Sequence, residues 1–246
     1  MNVYVNEVTG IADAIVSMFF SKRTWTRELE EEIRSTVNFV TDYKGQLLRE
    51  EQIPDGGKYL LEKYNDWIEK LTKWSGIHIT LGRFVDFSIT VENCHRGAGD
   101  DWDAHAQRFN NRIIRSSTRL AEFHDGEMSD YYKGKIITTA SAMDILGIDT
   151  PETIDVDGVK YVKCVNGYIK EEYKNDPDVK RGLYMLSIPW CFIFKCNLTE
   201  WAHVYKQRRV EGHANDEVKE LCETICDQLY EFQPWLTRDL FHYIQN

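Results

Sequence analysis

The chain has 246 residues, 42% of them hydrophobic and 28% charged, a composition that supports a buried core and excludes a disordered chain. Its net charge of −10 and pI of about 5.2 argue against nucleic acid or an anionic membrane as partner. No apolar run approaches the roughly 20 residues of a membrane span, residues 1–7 lack a basic-then-apolar leader layout, and six cysteines are too sparse for a disulfide scaffold. Together these features predict a cytoplasmic protein without a membrane segment.

Residues 12–42 read as helix, because Ile15, Met18, Phe19, Leu29, Ile33 and Val37 recur at helical spacing, and acids at 28–32 suit a helix start. Residues 57–74 read as a second helix, with Leu60, Leu61, Tyr64, Trp67, Ile68 and Leu71 on one side. Residues 84–91 alternate as a strand, 95–101 read as a polar loop, and 103–121 and 136–146 read as helical. Asp157-Gly158 and Asn166-Gly167 lie between β-rich runs and predict two hairpins over 150–172. The apolar segment 183–195 contains Pro189, which favours strands over a helix. Residues 198–210 and 214–232 read as helices, the second with a stripe of Val218, Leu221, Cys222, Ile225, Cys226, Leu229 and Phe232. Helices, strand, helices, hairpins, strand, helices is the order of an α+β protein, with no regular βαβ alternation.

The local anomaly is residues 104–121, which hold Arg108, Arg112, Arg115 and Arg119 and no acid. At spacings of 4, 3 and 4, a continuous helix would line the four guanidinium groups on one stripe. Like charges so placed repel, so they predict either an anionic ligand or a row of acids from elsewhere in the chain or a partner subunit. Arginine suits phosphate because its planar fork bonds bidentately, and Ser116, Ser117 and Thr118 add hydroxyls beside it. Lys180-Arg181 and the trio Lys206, Arg208 and Arg209 are further basic points, although a basic helix end before Gly212 also matches a plain C-cap. Cys222 and Cys226 read as core; Cys191 and Cys196 would face opposite sides of a strand. His95 and His105, flanking Asp100, Asp101 and Asp103, lack a known ligand spacing, so no metal site is expected.

From Asn197 through Arg209, His213-Ala214-Asn215 and Glu217-Val218 to Pro234-Trp235 and Phe241, the sequence resembles the C-terminal part of flavin-dependent thymidylate synthases. Arg209 keeps the family's four-residue step to His213, and Arg181 stands sixteen residues before Asn197, the spacing of the family's nucleotide-binding arginine. Ser117-Thr118-Arg119 is similar to the Ser-x-Arg close of the family signature, and Gly76-Ile-His78-Ile-Thr80 to its Gly-His-x-Thr/Ser segment with one extra residue. The signature's opening Arg-His-Arg is absent, Arg115 stands where Glu is usual, and one extra residue near Arg209 makes Arg208 a competitor for the same role.

The resemblance implies one α+β domain over residues 1–246, with a central antiparallel or mixed sheet flanked by helices, a loop insertion at about 95–101 and a hairpin insertion at about 150–172. It implies methylation of dUMP to dTMP, with methylenetetrahydrofolate and NADPH as co-substrates through FAD, in a homotetramer whose sites lie between subunits. Ser116, Ser117, Arg119 and Arg181 would hold the nucleotide phosphate. Arg209, or Arg208, would be catalytic, stabilising charge that develops on the uracil carbonyl. His78, Thr80, Asn197 and His203 would contact the flavin, and Arg108 or Arg112 its diphosphate. Two alternatives stay open: a related pyrimidine-nucleotide modifying enzyme, such as a hydroxymethylase, and a non-catalytic nucleotide-binding protein of the same fold.

Overall fold

The structure, a computed structural model, describes residues 1–73, 78–106, 112–117, 129–130, 139–164, 166–176, 179, 183, 188–211, 214 and 216–243. In chain order its main elements are β1 (Asn2–Thr9), α1 (Ile11–Ser21), α2 (Arg27–Val40), α3 (Lys58–Thr72), α4 (Ile79–Gly82), β2 (Asp86–His95), α5 (Arg96–Ala106) and β3 (Arg112–Arg115). They continue with α6 (Thr139–Ile145), β4 (Thr153–Val156), β5 (Val159–Cys164), β6 (Gly167–Lys170), β7 (Pro189–Asn197), α7 (Leu198–Tyr205), a π-helical turn (Lys206–Val210), α8 (Asp216–Phe232) and α9 (Arg238–Tyr243). One sheet has the order β1-β2-β7-β3, and a second is β4-β5-β6. This is the expected α+β architecture. Among the described residues no helix is long and apolar enough to cross a membrane.

The chain divides into two compact units, one of Met1–Asn2, Glu92–Asp100 and Ile114–Phe192, the other of Val3–Val91, Asp101–Ile113 and Ile193–Asn246. In the second unit Trp201 is fully buried and meets Phe87 edge-on at 5.8 Å, Trp102 at 5.9 Å and Phe241 at 6.1 Å between ring centroids. Edge-to-face aromatic packing adds roughly 0.5–1.5 kcal/mol per pair beyond area burial, so this cluster fixes α7 against β2 and α9. A polar network lies deeper in sequence separation. Tyr64 on α3 donates to Gln233 Oε1 at 2.7 Å, Trp235 Nε1 donates to the same oxygen at 3.1 Å, and Gln233 Nε2 donates to the Gly45 carbonyl at 2.6 Å.

In the first unit β4, β5 and β6 form an antiparallel meander. Asp157 and Gly158 have φ of 53° and 76°, the paired positive values of a type I′ turn, as the dipeptide predicts. The second turn is shifted by one residue. Cys164 pairs with Gly167, so Asn166, at φ 55°, lies in the turn and Gly167 already belongs to β6.

Several expectations are corrected. Residues 12–42 are two helices: the backbone turns at Arg23 (φ 56°), and Thr26 starts α2 by accepting from Leu29 N at 3.2 Å. Residues 1–9 contain a strand, β1, that the sequence reading passed over. The polar stretch 95–101 is no loop: His95 ends β2, buried, and Arg96 begins α5. Residues 103–121 are not one helix, since 112–115 are the strand β3, where β-branched Ile113-Ile114 favours extension. A strand has a two-residue period, so the helical stripe expected from the 4, 3, 4 spacing does not run through 112–115. Among its described residues the apolar segment 183–195 contributes the strand β7, which starts at Pro189, a first position where a missing N–H is tolerated.

Candidate functional site

In the second unit, the end of β7 passes directly into α7 through a capping box. Asn197 Oδ1 accepts from Glu200 N at 2.9 Å, and Glu200 Oε2 accepts from Asn197 N at 3.3 Å. Trp201, Ala202, Val204 and Tyr205 bury one side of α7, and His203 stays half-buried on it. The helix then widens into the π turn, closed by Glu211 N donating to Lys206 O at 2.9 Å, an i to i−5 bond. A π turn is one residue more than an α-helix needs, and such turns concentrate at functional sites.

The two arginines of this turn have different surroundings. Arg208 is half-buried with its Nε shielded from solvent. Arg209 is exposed, and its Nε donates to Glu223 Oε1 on α8. Glu223 Oε2 accepts from Arg238 Nε at 2.6 Å, and Arg238 Nη2 donates to Asp227. Tyr205 on α7 is buried; that burial first, then Cys226 and Glu223, push its hydroxyl up to about 12. An open pocket of about 460 Å³ lined by Cys226, Asp227, Tyr230, Thr237, Arg238 and Asp239 adjoins the network.

His78 and Thr80 are exposed at the start of α4. His78 Nδ1 accepts from Thr80 N at 3.2 Å, and its carbonyl accepts from Leu81 N at 2.8 Å. With Nδ1 an acceptor, neutral His78 carries its proton on Nε2, which points a donor outward from the cap.

In the first unit, Ser116 continues β3 along β7. Ser116 N donates to Cys191 O at 2.9 Å, Ser116 Oγ accepts from Cys191 N at 3.2 Å, and Ser116 O accepts from Trp190 Nε1 at 2.7 Å. Ser116 and Ser117 are both exposed. Arg115 lies over the Trp190 ring at 5.2 Å and donates to Asp100 at 3.2 Å; Arg96 reaches the other oxygen of Asp100 at 3.8 Å. Gly99 on α5 makes this possible, because a Cβ there would stand 1.9 Å from Trp190 Cζ3.

Of the expected site residues, the second unit holds His78, Thr80, Asn197, His203, Arg208 and Arg209, while Ser116 and Ser117 belong to the first. Arg112 opens β3; Arg108, Arg119 and Arg181 lie outside the described residues. The sequence reading noted Arg115 and Asp100 without pairing them, and Glu223 and Arg238 escaped it. Nothing at their own positions flags them: Glu223 reads as an ordinary solvent-side acid on α8, and its partners are 14 and 15 residues away.

No protein-family model matches this sequence, and no curated protein matches it. Solved structures do match in fold. Thymidylate synthase X from Helicobacter pylori, determined with FAD and dUMP, is 11% identical and aligns over 99% of this chain and 100% of its own with a TM-score of 0.54. The UMP/dUMP methylase PolB from Streptomyces cacaoi, bound with 5-Br dUMP, is also 11% identical and aligns over 100% of this chain and 96% of its own, again at 0.54. The chain therefore has the fold of thymidylate synthase X.

Proposed function

We propose that this chain is a flavin-dependent thymidylate synthase-like enzyme that methylates dUMP to dTMP, with FAD as cofactor and NADPH and methylenetetrahydrofolate as co-substrates. The observation that carries this reading is the fold correspondence over essentially the full chain with two nucleotide-bound proteins, at a TM-score of 0.54 each. In it, Ser116, Ser117, Arg119 and Arg181 hold the phosphate by charge-assisted hydrogen bonds. Arg209, with Arg208 beside it, meets the uracil edge and stabilises negative charge on its carbonyl. A homotetramer completes the sites.

The donors available suit a flavin. The outward Nε2–H of His78, the exposed Thr80 hydroxyl and the Asn197 amide nitrogen, left over from the capping box, match the carbonyl and ring-nitrogen acceptors of an isoalloxazine. His203, Arg108 and Arg112 complete the set assigned to FAD. FAD, when bound, supplies the hydride-transfer chemistry; the protein supplies orientation and charge.

The test is colour and turnover. Purified protein, or protein incubated with FAD, should absorb near roughly 450 nm, where oxidised flavins do, and the reduced protein should be reoxidised on adding dUMP and methylenetetrahydrofolate. A protein that takes up no FAD refutes the synthase reading; nucleotide binding without flavin assigns it to a non-catalytic nucleotide-binding protein. A second reading, a related pyrimidine-nucleotide modifying enzyme, has support in the equal fold match to a UMP/dUMP methylase. Reoxidation by UMP or dCMP in place of dUMP selects it.

A further inference from the structure

Glu223 is shared. Its Oε1 takes the Nε–H of Arg209 and its Oε2 the Nε–H of Arg238, while Arg238 is gripped from its other end by Asp227. The carboxylate is thus held by two arginines, one of them anchored in turn by Asp227. An exposed arginine ordinarily samples many rotamers, and fixing it on binding costs entropy. Arg209 is fixed beforehand, and by the one nitrogen whose use leaves the planar Nη edge of the guanidinium uncommitted. No bond to either of its Nη atoms is present among the described residues. That edge is the one that bonds phosphate or carbonyl oxygens bidentately.

We propose that Glu223 is a positioning residue for Arg209, holding its guanidinium so that the Nη edge meets the oxygens of the pyrimidine nucleotide. The inference rests on the reading above that this chain binds such a nucleotide. Arg238 and Asp227 act one step further back, by fixing Glu223. The competing description is a plain surface ion network, which would leave ligand affinity untouched.

The experiment is calorimetric titration of dUMP into the full chain, for wild type, R209A, E223A, E223Q and the double variants R209A/E223A and R209A/E223Q, each with its thermal midpoint. R209A should weaken binding about 10-fold or more. E223A should weaken it about 5-fold, and E223Q less, since its amide oxygen still accepts from Nε. In the R209A background neither change at Glu223 should weaken binding further by as much as about 2-fold, because Glu223 acts only through Arg209. If E223A does not fold, the Gln pair closes the same cycle. Additive losses, or E223A and E223Q binding like wild type while R209A binds poorly, overturn the proposal alone. Absence of dUMP binding by the folded wild type overturns both it and the reading beneath it.

Discussion

Gly99→Ala is the sharpest single perturbation of the first unit. Glycine in a helix interior is worth about 1 kcal/mol less than alanine, so on propensity alone G99A should stabilise α5. The packing opposes this. The new Cβ would lie 1.9 Å from Trp190 Cζ3 and 2.1 Å from Cε3, and Trp190 is 5% exposed, so the ring has no space to retreat into. Overpacking of this kind costs about 1–3 kcal/mol. If the indole shifts, the bond from Nε1 to Ser116 O at 2.7 Å is lost as well, for about 0.5–1.5 kcal/mol more. Packing wins, and G99A should be about 1–3 kcal/mol less stable than wild type. Urea unfolding followed by circular dichroism should show a lower midpoint with unchanged slope, and the melting temperature should fall by roughly 2–4 °C per kcal/mol. With Trp190→Leu in place the obstacle is gone, so adding G99A to W190L should be neutral or stabilising by up to about 1 kcal/mol. A G99A protein as stable as wild type would refute the reasoning.

Two further outcomes follow from buried polar groups. Gln233→Leu strands the Tyr64 hydroxyl proton and the Gly45 carbonyl, leaving Trp235 Nε1 its bond to the Tyr64 oxygen at 3.2 Å, and should cost about 2–4 kcal/mol by urea unfolding; a loss below about 1 kcal/mol contradicts the network. Stability should also fall in alkali. Burial raises the Cys94 thiol from 9.0 to about 12 and the Tyr205 hydroxyl from 10.0 to about 12. Both groups stay protonated in the folded chain while the unfolded chain ionises, so stability present below pH 9 is lost progressively between pH 9 and 12. Urea midpoints measured from pH 8 upward that stay flat to pH 11 would contradict this. The same burial leaves only exposed Cys191 and half-exposed Cys164 open to a thiol reagent in the folded protein.

Elements whose signals are local were legible in the sequence. Helix α3, helix α8 with its apolar stripe and the turn at Asp157-Gly158 each declare themselves within a few residues. What failed depended on distant partners. Gly97 and Gly99 make 95–101 read as a loop, yet α5 forms there, with Gly99 admitting the Trp190 ring. The strand β1 hides because Asn6 and Glu7 interrupt its apolar alternation. They are paid for by partners far along the chain, Asn6 by Thr90 and Glu7 by Lys195. The candidate site divides the same way. Arg208, Arg209, His78 and Asn197 are candidates named by resemblance alone, whereas the Glu223–Arg238 ion pair exists only once α8 and α9 have packed.

The order β1-β2-β7-β3 sets the sequence in which this protein can assemble. The strand β7, the latest in the chain among those described, is an inner strand. Its bond from Trp190 to Ser116 spans 74 residues and its ion pair from Lys195 to Glu7 spans 188. The meander β4-β5-β6, by contrast, closes within residues 153–170. Loop-closure entropy makes such local pairings fast and distant ones slow. As the chain is synthesised, the meander can form early, while β2 and β3 remain open edges awaiting the strand that joins them. The larger sheet is therefore completed from its interior, and its unpaired edges are the aggregation-prone surface of the nascent chain.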